Sequence, residues 1–185
     1  MARARLIELL RALSYREGRV VLASGKESDF FIDCKQTVLT AEGHALVGET
    51  MLDALLDASG KPTVDAVAGV ELGGCPLASA VALTSHLRGL ALDAIYVRKE
   101  AKDHGSRRLI EGGTRLAAGA RVALLEDVIT TGGSTLKALT KLREAGFVVD
   151  QVVVLVDRLE GGREALEGAG LEVHAITTRT DIMGR

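Results

Sequence analysis

Two carboxylates, several hydroxyl groups and two glycines follow one another in the segment LLEDVITTGGST, Leu124 to Thr135. Glu126 and Asp127 come directly after an apolar run, and a helical pattern begins where the segment ends. Gly132 and Gly133 let backbone N–H groups approach an anion without a Cβ in the way. Hydroxyl groups and the start of a helix add further donors, so this segment is suited to binding a phosphate group.

The two acids would repel a phosphate unless they face another part of the same ligand. Ribose hydroxyls donate hydrogen bonds that carboxylates accept, so a phosphoribosyl group fits both halves of the segment. Carboxylates at this point would also stabilise positive charge that develops on the ribose ring. For either feature alone, a structural strand–turn–helix junction with a serine cap and a solvated acidic turn is an equal alternative.

Other phosphate-binding motifs are absent from the chain. Gly25-Lys26 lacks the upstream glycine and the following hydroxyl residue of a Walker loop, and Gly69, Gly73 and Gly74 do not form Gly-x-Gly-x-x-Gly. A nucleoside triphosphate loop and a dinucleotide site are therefore disfavoured.

Strand-like and helical patterns alternate along most of the chain, which predicts an α/β fold with a mostly parallel twisted sheet flanked by helices. With only 3% aromatic residues, the core must be built from Val, Leu, Ile and Ala, as is typical of buried parallel strands. The first forty residues break the rhythm and are expected to form a small separate cap. The predicted helices are Ala2 to Leu13, Thr40 (as cap) to Leu55, Pro76 to His86, Ser134 to Ala145 and Arg163 to Glu167. Short strands are predicted around Ser24-Gly25, over residues 19–39, and longer ones at Val64 to Val70, Ala91 to Val97, Arg121 to Leu125, Val148 to Val156 and Leu171 to Ile176.

Charge and cysteine content exclude several classes of protein. The formal net charge is −2 at pH 7, so no global field attracts nucleic acid or an anionic membrane. Cys34 and Cys75 form no Cys-x-x-Cys pair, which argues against a structural zinc site and a disulfide framework. Glu8 and Arg11 interrupt the first apolar stretch, and no apolar run approaches the ~20 residues of a membrane span. We expect a soluble protein in the cytoplasm.

Four motifs carry a resemblance to a known family. EDVITTGGS, Glu126 to Ser134, resembles the phosphoribosyl pyrophosphate signature of the type I phosphoribosyltransferases. YVRKEAKDHG, Tyr96 to Gly105, resembles the mobile catalytic loop of the orotate phosphoribosyltransferases. SGKESDFFID, Ser24 to Asp33, is similar to their N-terminal hood, and VDR, Val156 to Arg158, to their orotate-binding strand end. The first motif alone indicates the superfamily, whereas the loop and the hood together indicate orotate.

The resemblance covers nearly the whole chain and implies one domain, 1–185, with the type I phosphoribosyltransferase fold. Within it, a hood of about 1–38 precedes an α/β core of 39–185 with a lid loop at 98–113. The implied reaction transfers the ribose 5-phosphate group of phosphoribosyl pyrophosphate to orotate, giving orotidine 5′-monophosphate and pyrophosphate in de novo pyrimidine synthesis. The implied cofactor is Mg²⁺, held mainly by the pyrophosphate and water, and the implied assembly is a homodimer with shared active sites.

The same resemblance implies a role for each matching residue. Lys102, Glu126 and Asp127 are the implied catalytic residues, with both acids on the ribose hydroxyls. The 5′-phosphate would contact Val128, Ile129, Thr130, Thr131, Gly132, Gly133 and Ser134, with Thr130 also near orotate. The pyrophosphate would contact Arg98, Lys99, Lys102 and His104. Orotate would contact Arg158, Phe30 and Phe31, although adjacent strand residues face opposite ways and one of the two rings is expected in the core.

Two positions depart from the family pattern. Many members carry a lysine where this chain has Ala23, and another where it has Gly73. Their contacts to phosphoribosyl pyrophosphate would pass to Lys26 and to the backbone amides of residues 71–74. Two rival functions stay open at this point: a phosphoribosyltransferase for purine bases, and a non-catalytic regulator that senses phosphoribosyl pyrophosphate and binds nucleic acid.

Overall fold

The computed structural model of the chain describes residues 1–21, 27–100 and 109–184. The predicted roles of Lys26, Lys102 and His104 lie outside the described residues. Ala23, one of the two departures from the family pattern, lies outside them as well.

The N-terminal segment combines a helix, a hairpin and a short second helix. Helix α1 (Ala2–Leu9) continues as a π-helical turn (Leu10–Ser14), and the antiparallel strands β1 (Tyr15–Val21) and β2 (Glu27–Ile32) precede α2 (Lys35–Val38). The hairpin is a two-stranded sheet of its own, and the segment packs tightly on the rest of the chain, because Leu6, Leu10 and Phe30 are fully buried in a cluster shared with the main sheet. An amphipathic helix and a single hairpin cannot bury their apolar faces alone, so they pack onto the core.

The main sheet has six strands in the order β5-β4-β3-β6-β7-β8. All neighbouring strands are parallel except β4 and β5, which confirms the predicted mostly parallel sheet. The strands are β3 (Ala66–Val70), β4 (Asp93–Val97), β5 (Ile110–Glu111), β6 (Arg121–Ile129), β7 (Val148–Asp157) and β8 (Glu172–Thr178).

Helices cover both faces of this sheet. The main helices are α3 (Ala41–Asp53), α4 (Gly74–Leu87), α5 (Gly133–Glu144), α6 (Gly162–Gly168) and α7 (Arg179–Met183). Side chains of β6 alternate between two cores: Ala123 and Leu125 face α3 and α4, whereas Leu124 faces α5 and α6. This alternation follows from the period of two residues in a strand, and it decides where the two acids point.

Several predicted boundaries were wrong for identifiable reasons. β6 runs to Ile129, so the acids lie inside the strand rather than after it. α4 begins at Gly74, before Pro76, because a proline in the first helical turn forfeits no intrahelical hydrogen bond. Residues 35–38, predicted as strand, form α2.

The C-terminal helix α7 was not predicted. It is held by a capping box, in which the Thr178 hydroxyl accepts from the Asp181 N–H and the Asp181 carboxylate accepts from the Thr178 N–H. Among the described residues, no helix is long and apolar enough to cross a membrane.

Candidate active site

The candidate site lies where the strand order of the sheet reverses. The connection from β3 moves outward to β4, whereas β6 on its other side begins the opposite run toward β8. Ligands of open α/β sheets bind at the carboxyl ends of strands at such a switch point. A cleft of about 270 Å³ opens there, and residues 70–73, residues 126–128, Ser134, Lys99 and Lys35 line it.

The two acids enter this cleft from opposite faces of the sheet. Glu126 follows the alternation toward α5, and its Oε2 accepts a hydrogen bond from the Thr135 hydroxyl at 2.9 Å. Asp127 points the other way, toward the loop after β3, and its Oδ1 accepts from the N–H of Val128 at 2.9 Å. Both carboxylates nevertheless line the same cleft, so together they can contact one ligand from two sides.

Burial dominates the electrostatics of Glu126, which is 6% exposed. It raises the pKa of this carboxyl to about 8, and the negative charge of Asp127 acts in the same direction. The hydrogen bond from Thr135 and the positive charge of Lys99 oppose the rise. The site therefore holds an acid whose ionisation falls near neutral pH, as is common at functional sites.

Glycine at position 73 leaves the room that Asp127 occupies. A Cβ built on Gly73 would lie 2.1 Å from Oδ2 of Asp127 and 2.4 Å from its Cγ. No side chain fits at position 73 while Asp127 keeps this rotamer. Many family members carry a lysine at this position, whereas here the loop after β3 packs closely against the carboxylate of Asp127.

The segment predicted to bind phosphate has the expected strand–loop–helix form. Gly132 adopts φ 77° and is the N-cap residue of α5, and the described residues supply no side-chain cap to this helix. The N–H groups of the first turn are therefore open to an anion. Gly133 and Ser134 are exposed at this end, whereas the side chain of Ile129 is buried in the core, so Ile129 can contribute only backbone groups.

The basic side of the site is anchored by a residue that the motifs did not indicate. Arg98 and Lys99 line a second cavity of about 360 Å³ next to the cleft, beside Lys137 and Lys141 of α5. The Lys141 ammonium donates to the carbonyl oxygens of Arg98 and Lys99 at 2.7 and 2.8 Å. α5 thus fixes the backbone that carries the two predicted pyrophosphate ligands.

Arg158 joins the end of β7 to the hood. Its guanidinium donates to the carbonyl oxygen of Phe30 at 3.3 Å, pairs with Glu160 at 2.7 Å, and lies 5.5 Å from the centre of the Phe30 ring. Phe30 is fully buried and its ring lies 5.2 Å from that of Tyr15. Phe31 is partly exposed. Of the two adjacent rings, Phe30 is the core residue, which agrees with the alternation of a strand.

The structure thus arranges the predicted residues in two groups. Lys99, Glu126, Asp127, Val128 and Ser134 share the cleft, and Arg98 lies in the adjoining cavity. Arg158 and Phe30 form a separate group where β2 meets the end of β7, and Phe31 is the next residue of β2.

Lys35, Thr135 and Lys141 are residues of this region that the sequence analysis did not single out, and it singled out Glu71 only for its backbone amide. Of these residues, only Thr135 could have been suspected from the sequence, because it directly follows the motif Glu126 to Ser134.

Comparison with known proteins agrees with this geometry. Residues 39–169 match the phosphoribosyl transferase domain family. A protein of Sorangium cellulosum named orotate phosphoribosyltransferase is 67% identical over 181 residues, which cover 98% of this chain and 93% of that one. The crystal structure of Mycobacterium tuberculosis orotate phosphoribosyltransferase in complex with Fe(III) dicitrate has a TM-score of 0.82 and 37% identity, over 98% of this chain and 99% of that chain. The same enzyme in complex with 5-phospho-α-D-ribosyl 1-diphosphate gives a TM-score of 0.79 and 33% identity, over 99% of both chains. The chain therefore belongs to the phosphoribosyltransferase family and, within it, to the orotate phosphoribosyltransferases.

Proposed function

We propose that the protein transfers the ribose 5-phosphate group of phosphoribosyl pyrophosphate to orotate, forming orotidine 5′-monophosphate and pyrophosphate in pyrimidine synthesis. The observation that carries the proposal is the meeting of Glu126, Asp127 and the open N-terminus of α5 at one cleft. A phosphate on the helix end directs the ribose hydroxyls toward the two carboxylates. The naming of relatives as orotate phosphoribosyltransferases supports orotate as the acceptor.

Charge development explains why this cleft suits the reaction. As the bond to pyrophosphate breaks, positive charge grows on the ribose ring and negative charge on the leaving group. Ionised Glu126 and Asp127 stabilise the first, and Arg98 and Lys99 stabilise the second. Lys102 and His104 are proposed to join them on the pyrophosphate, with Lys102 having the largest effect on kcat, and Lys26 to serve the same ligand from the hood.

Mg²⁺ is the proposed cofactor. It binds oxygen ligands in octahedral geometry and is commonly held by one or two carboxylates together with substrate phosphates and water. In the described part of the chain, no group of three or more His, Cys, Asp or Glu side chains could hold a metal ion. Glu126 and Asp127 add carboxyl oxygens at the same cleft, so the site fits a Mg²⁺ ion that would be held mainly by the pyrophosphate and water. When bound, Mg²⁺ neutralises part of the charge on the leaving group.

Arg158 and Phe31 are proposed to select orotate. Orotate carries a carboxylate that a guanidinium can bind, whereas purine bases carry no such group. Phe31 supplies the ring contact because Phe30 is committed to the core and to Arg158.

A homodimer in the cytoplasm is the proposed assembly. Leu83 and Leu87 lie one turn apart on α4 and are 55% and 76% exposed, which supports an apolar contact between subunits. Sedimentation of the wild-type protein and of Leu87→Lys tests this assembly. A monomeric wild-type protein would contradict the dimer, and a dimer that the substitution leaves intact would contradict the contact through Leu83 and Leu87.

The test of the reaction is the loss of orotate ultraviolet absorbance after addition of phosphoribosyl pyrophosphate and Mg²⁺. We expect a rapid loss that depends on Mg²⁺ and that excess adenine, hypoxanthine or uracil does not suppress. Loss of a purine instead of orotate would support the purine-base rival. Tight, salt-dependent binding of nucleic acid without turnover would support the regulator.

A matched pair of variants tests the acceptor site. We expect Arg158→Lys to raise KM for orotate by roughly tenfold or more with a smaller change in KM for phosphoribosyl pyrophosphate, because lysine cannot bind a carboxylate through two parallel N–H groups. Arg115→Lys, at an arginine that pairs with Asp93 on the surface, serves as the control. Equal KM values for orotate in both variants would contradict the assignment of Arg158.

A further inference from the structure

The cleft has few positive charges for a site that must bind an anionic substrate. Glu71, Glu126 and Asp127 place three carboxyl groups along it. Among the residues lining this cleft, the cations are Lys99 and Lys35. A pyrophosphate group carries several negative charges, so each of these two lysines matters for its binding.

The loop after β3 offers no cationic side chain at its closest point to Asp127. Any Cβ at position 73 would lie 2.1 Å from Oδ2 of Asp127, which excludes a lysine there in this arrangement. Backbone N–H groups of the loop can still contact an anion, but a positive charge must come from another element. Lys35, at the start of α2, stands on the hood side of the same cleft.

Two neighbours fix Lys35 in this position. Cys34 is buried, and its Sγ donates to the carbonyl oxygen of Asp127 at 3.8 Å, which ties the start of α2 to the end of β6. The Lys35 ammonium lies 2.6 Å from Oδ1 of Asp33. That hydrogen bond raises the pKa of Lys35, with the negative charge of Asp127 adding to the effect, so the ammonium stays charged at neutral pH.

We propose that Lys35 is a substrate-binding residue that contacts the pyrophosphate group of phosphoribosyl pyrophosphate and supplies the positive charge that position 73 cannot carry. The inference rests on the proposed function. The alternative is a purely structural role, in which Lys35 only holds α2 in place through its ion pair with Asp33. The Lys35 side chain is 41% exposed, and ion pairs at such exposure add little to stability. The ion pair with Asp33 therefore contributes little to the stability of α2.

The test compares Lys35→Gln, Lys35→Arg and, as a control for the loss of one charge, Lys61→Gln in an exposed turn. We expect Lys35→Gln to raise KM for phosphoribosyl pyrophosphate about tenfold or more, which corresponds to about 1.4 kcal/mol. KM for orotate should stay within about twofold, since Arg158, the proposed orotate ligand, is not among the residues that line this cleft. Lys35→Arg should restore most of the affinity, and Lys61→Gln should match the wild-type protein.

The proposal is overturned if Lys35→Gln changes KM for both substrates equally, or lowers the melting temperature while KM for phosphoribosyl pyrophosphate stays unchanged. Calorimetric binding of inorganic pyrophosphate in the presence of Mg²⁺ gives a readout that needs no turnover. If the wild-type protein consumes no orotate, the proposed function fails. Weaker pyrophosphate binding by Lys35→Gln than by Lys61→Gln would then still support the Lys35 site, and equal binding would refute it.

Discussion

The hydroxyl of Thr135 donates a hydrogen bond to Oε2 of Glu126 across 2.9 Å, and both side chains are buried. A buried carboxyl group with a fixed donor has one defined orientation, and Glu126 lines the cleft in that orientation. Thr135 thus holds a candidate catalytic group without lining the cleft itself. It also opposes the rise in the pKa of Glu126 that burial causes.

Replacing Thr135 with valine keeps the shape of the side chain and removes the donor. A hydrogen bond to a charged group contributes about 1.5–3 kcal/mol, so the pKa of Glu126 should rise by about one unit or more. If ionised Glu126 binds the ribose, kcat/KM for phosphoribosyl pyrophosphate increases with pH through about 8 in the wild-type protein. In Thr135→Val, we expect this increase in kcat/KM to occur at higher pH, and kcat/KM at neutral pH to fall roughly tenfold.

Two companion variants separate positioning from packing. Thr135→Ser keeps the hydroxyl and should restore the pH profile, while Thr140→Val removes an exposed hydroxyl of the same helix and should change neither rate nor profile. A Thr135→Val protein with a lowered melting temperature and an unshifted pH profile would mean that Thr135 is only a packing residue.

Glu126 also links stability to pH. Its pKa is raised from 4.5 in the unfolded reference to about 8, so folding takes up a proton between these values. The contribution of this group to the free energy of unfolding is fully present below pH 4.5 and is lost as pH rises through about 8. Glu126→Gln stays neutral, so the variant should gain stability relative to wild type on the order of 1 kcal/mol per pH unit across this window.

Urea unfolding without substrates at about pH 5 and about pH 9 measures this linkage. Glu49→Gln removes the charge of an exposed glutamate on α3 and controls for net charge. If the stability difference between Glu126→Gln and wild type is the same at both pH values, the carboxyl is ionised throughout and the burial argument is wrong.

The alternation of strand and helix patterns was enough to predict the sheet, because strands buried on both faces read as continuous apolar runs. The end of β6 was misjudged because Glu126 and Asp127 look like a turn, although a strand at a cleft can carry acids on both faces. Thr135 and Lys35 could not be assigned from sequence, since their roles depend on contacts across β6 with α5 and α2. Phe30 shows the same limit: strand alternation predicts one buried ring, and only the packing on Tyr15 identifies which.

Gly73 tests how closely the loop after β3 must approach Asp127. In Gly73→Ala, the new Cβ overlaps the Asp127 carboxylate, which must leave its present rotamer. We expect kcat/KM for phosphoribosyl pyrophosphate to fall at least roughly tenfold with little change in melting temperature, because a misplaced group at a reacting centre affects rate strongly. Gly168→Ala is the control, since a Cβ there meets open space, and alanine favours the helix by up to about 1 kcal/mol. Equal turnover in the two variants would show that Asp127 can move without loss of function.

Lys141 offers a final test, because it acts on the site through backbone groups alone. Its ammonium bridges the carbonyl oxygens of Arg98 and Lys99, the residues at the start of the basic segment. Lys141→Met keeps the length and apolar stem of the side chain but releases both carbonyls. We expect kcat/KM for phosphoribosyl pyrophosphate to fall roughly tenfold, about 1.4 kcal/mol, with KM for orotate little changed.

Lys137→Met is the matched control, because Lys137 lies one turn earlier on α5 and lines the same cavity but leaves the two bridging hydrogen bonds in place. Added salt distinguishes the two effects, since screening weakens the contribution of an exposed charge more than that of a fixed hydrogen bond. A loss of the same size in both variants, removed by salt, would show that Lys141 contributes only charge. A loss confined to Lys141→Met and insensitive to salt is the outcome that the bridge to Arg98 and Lys99 predicts.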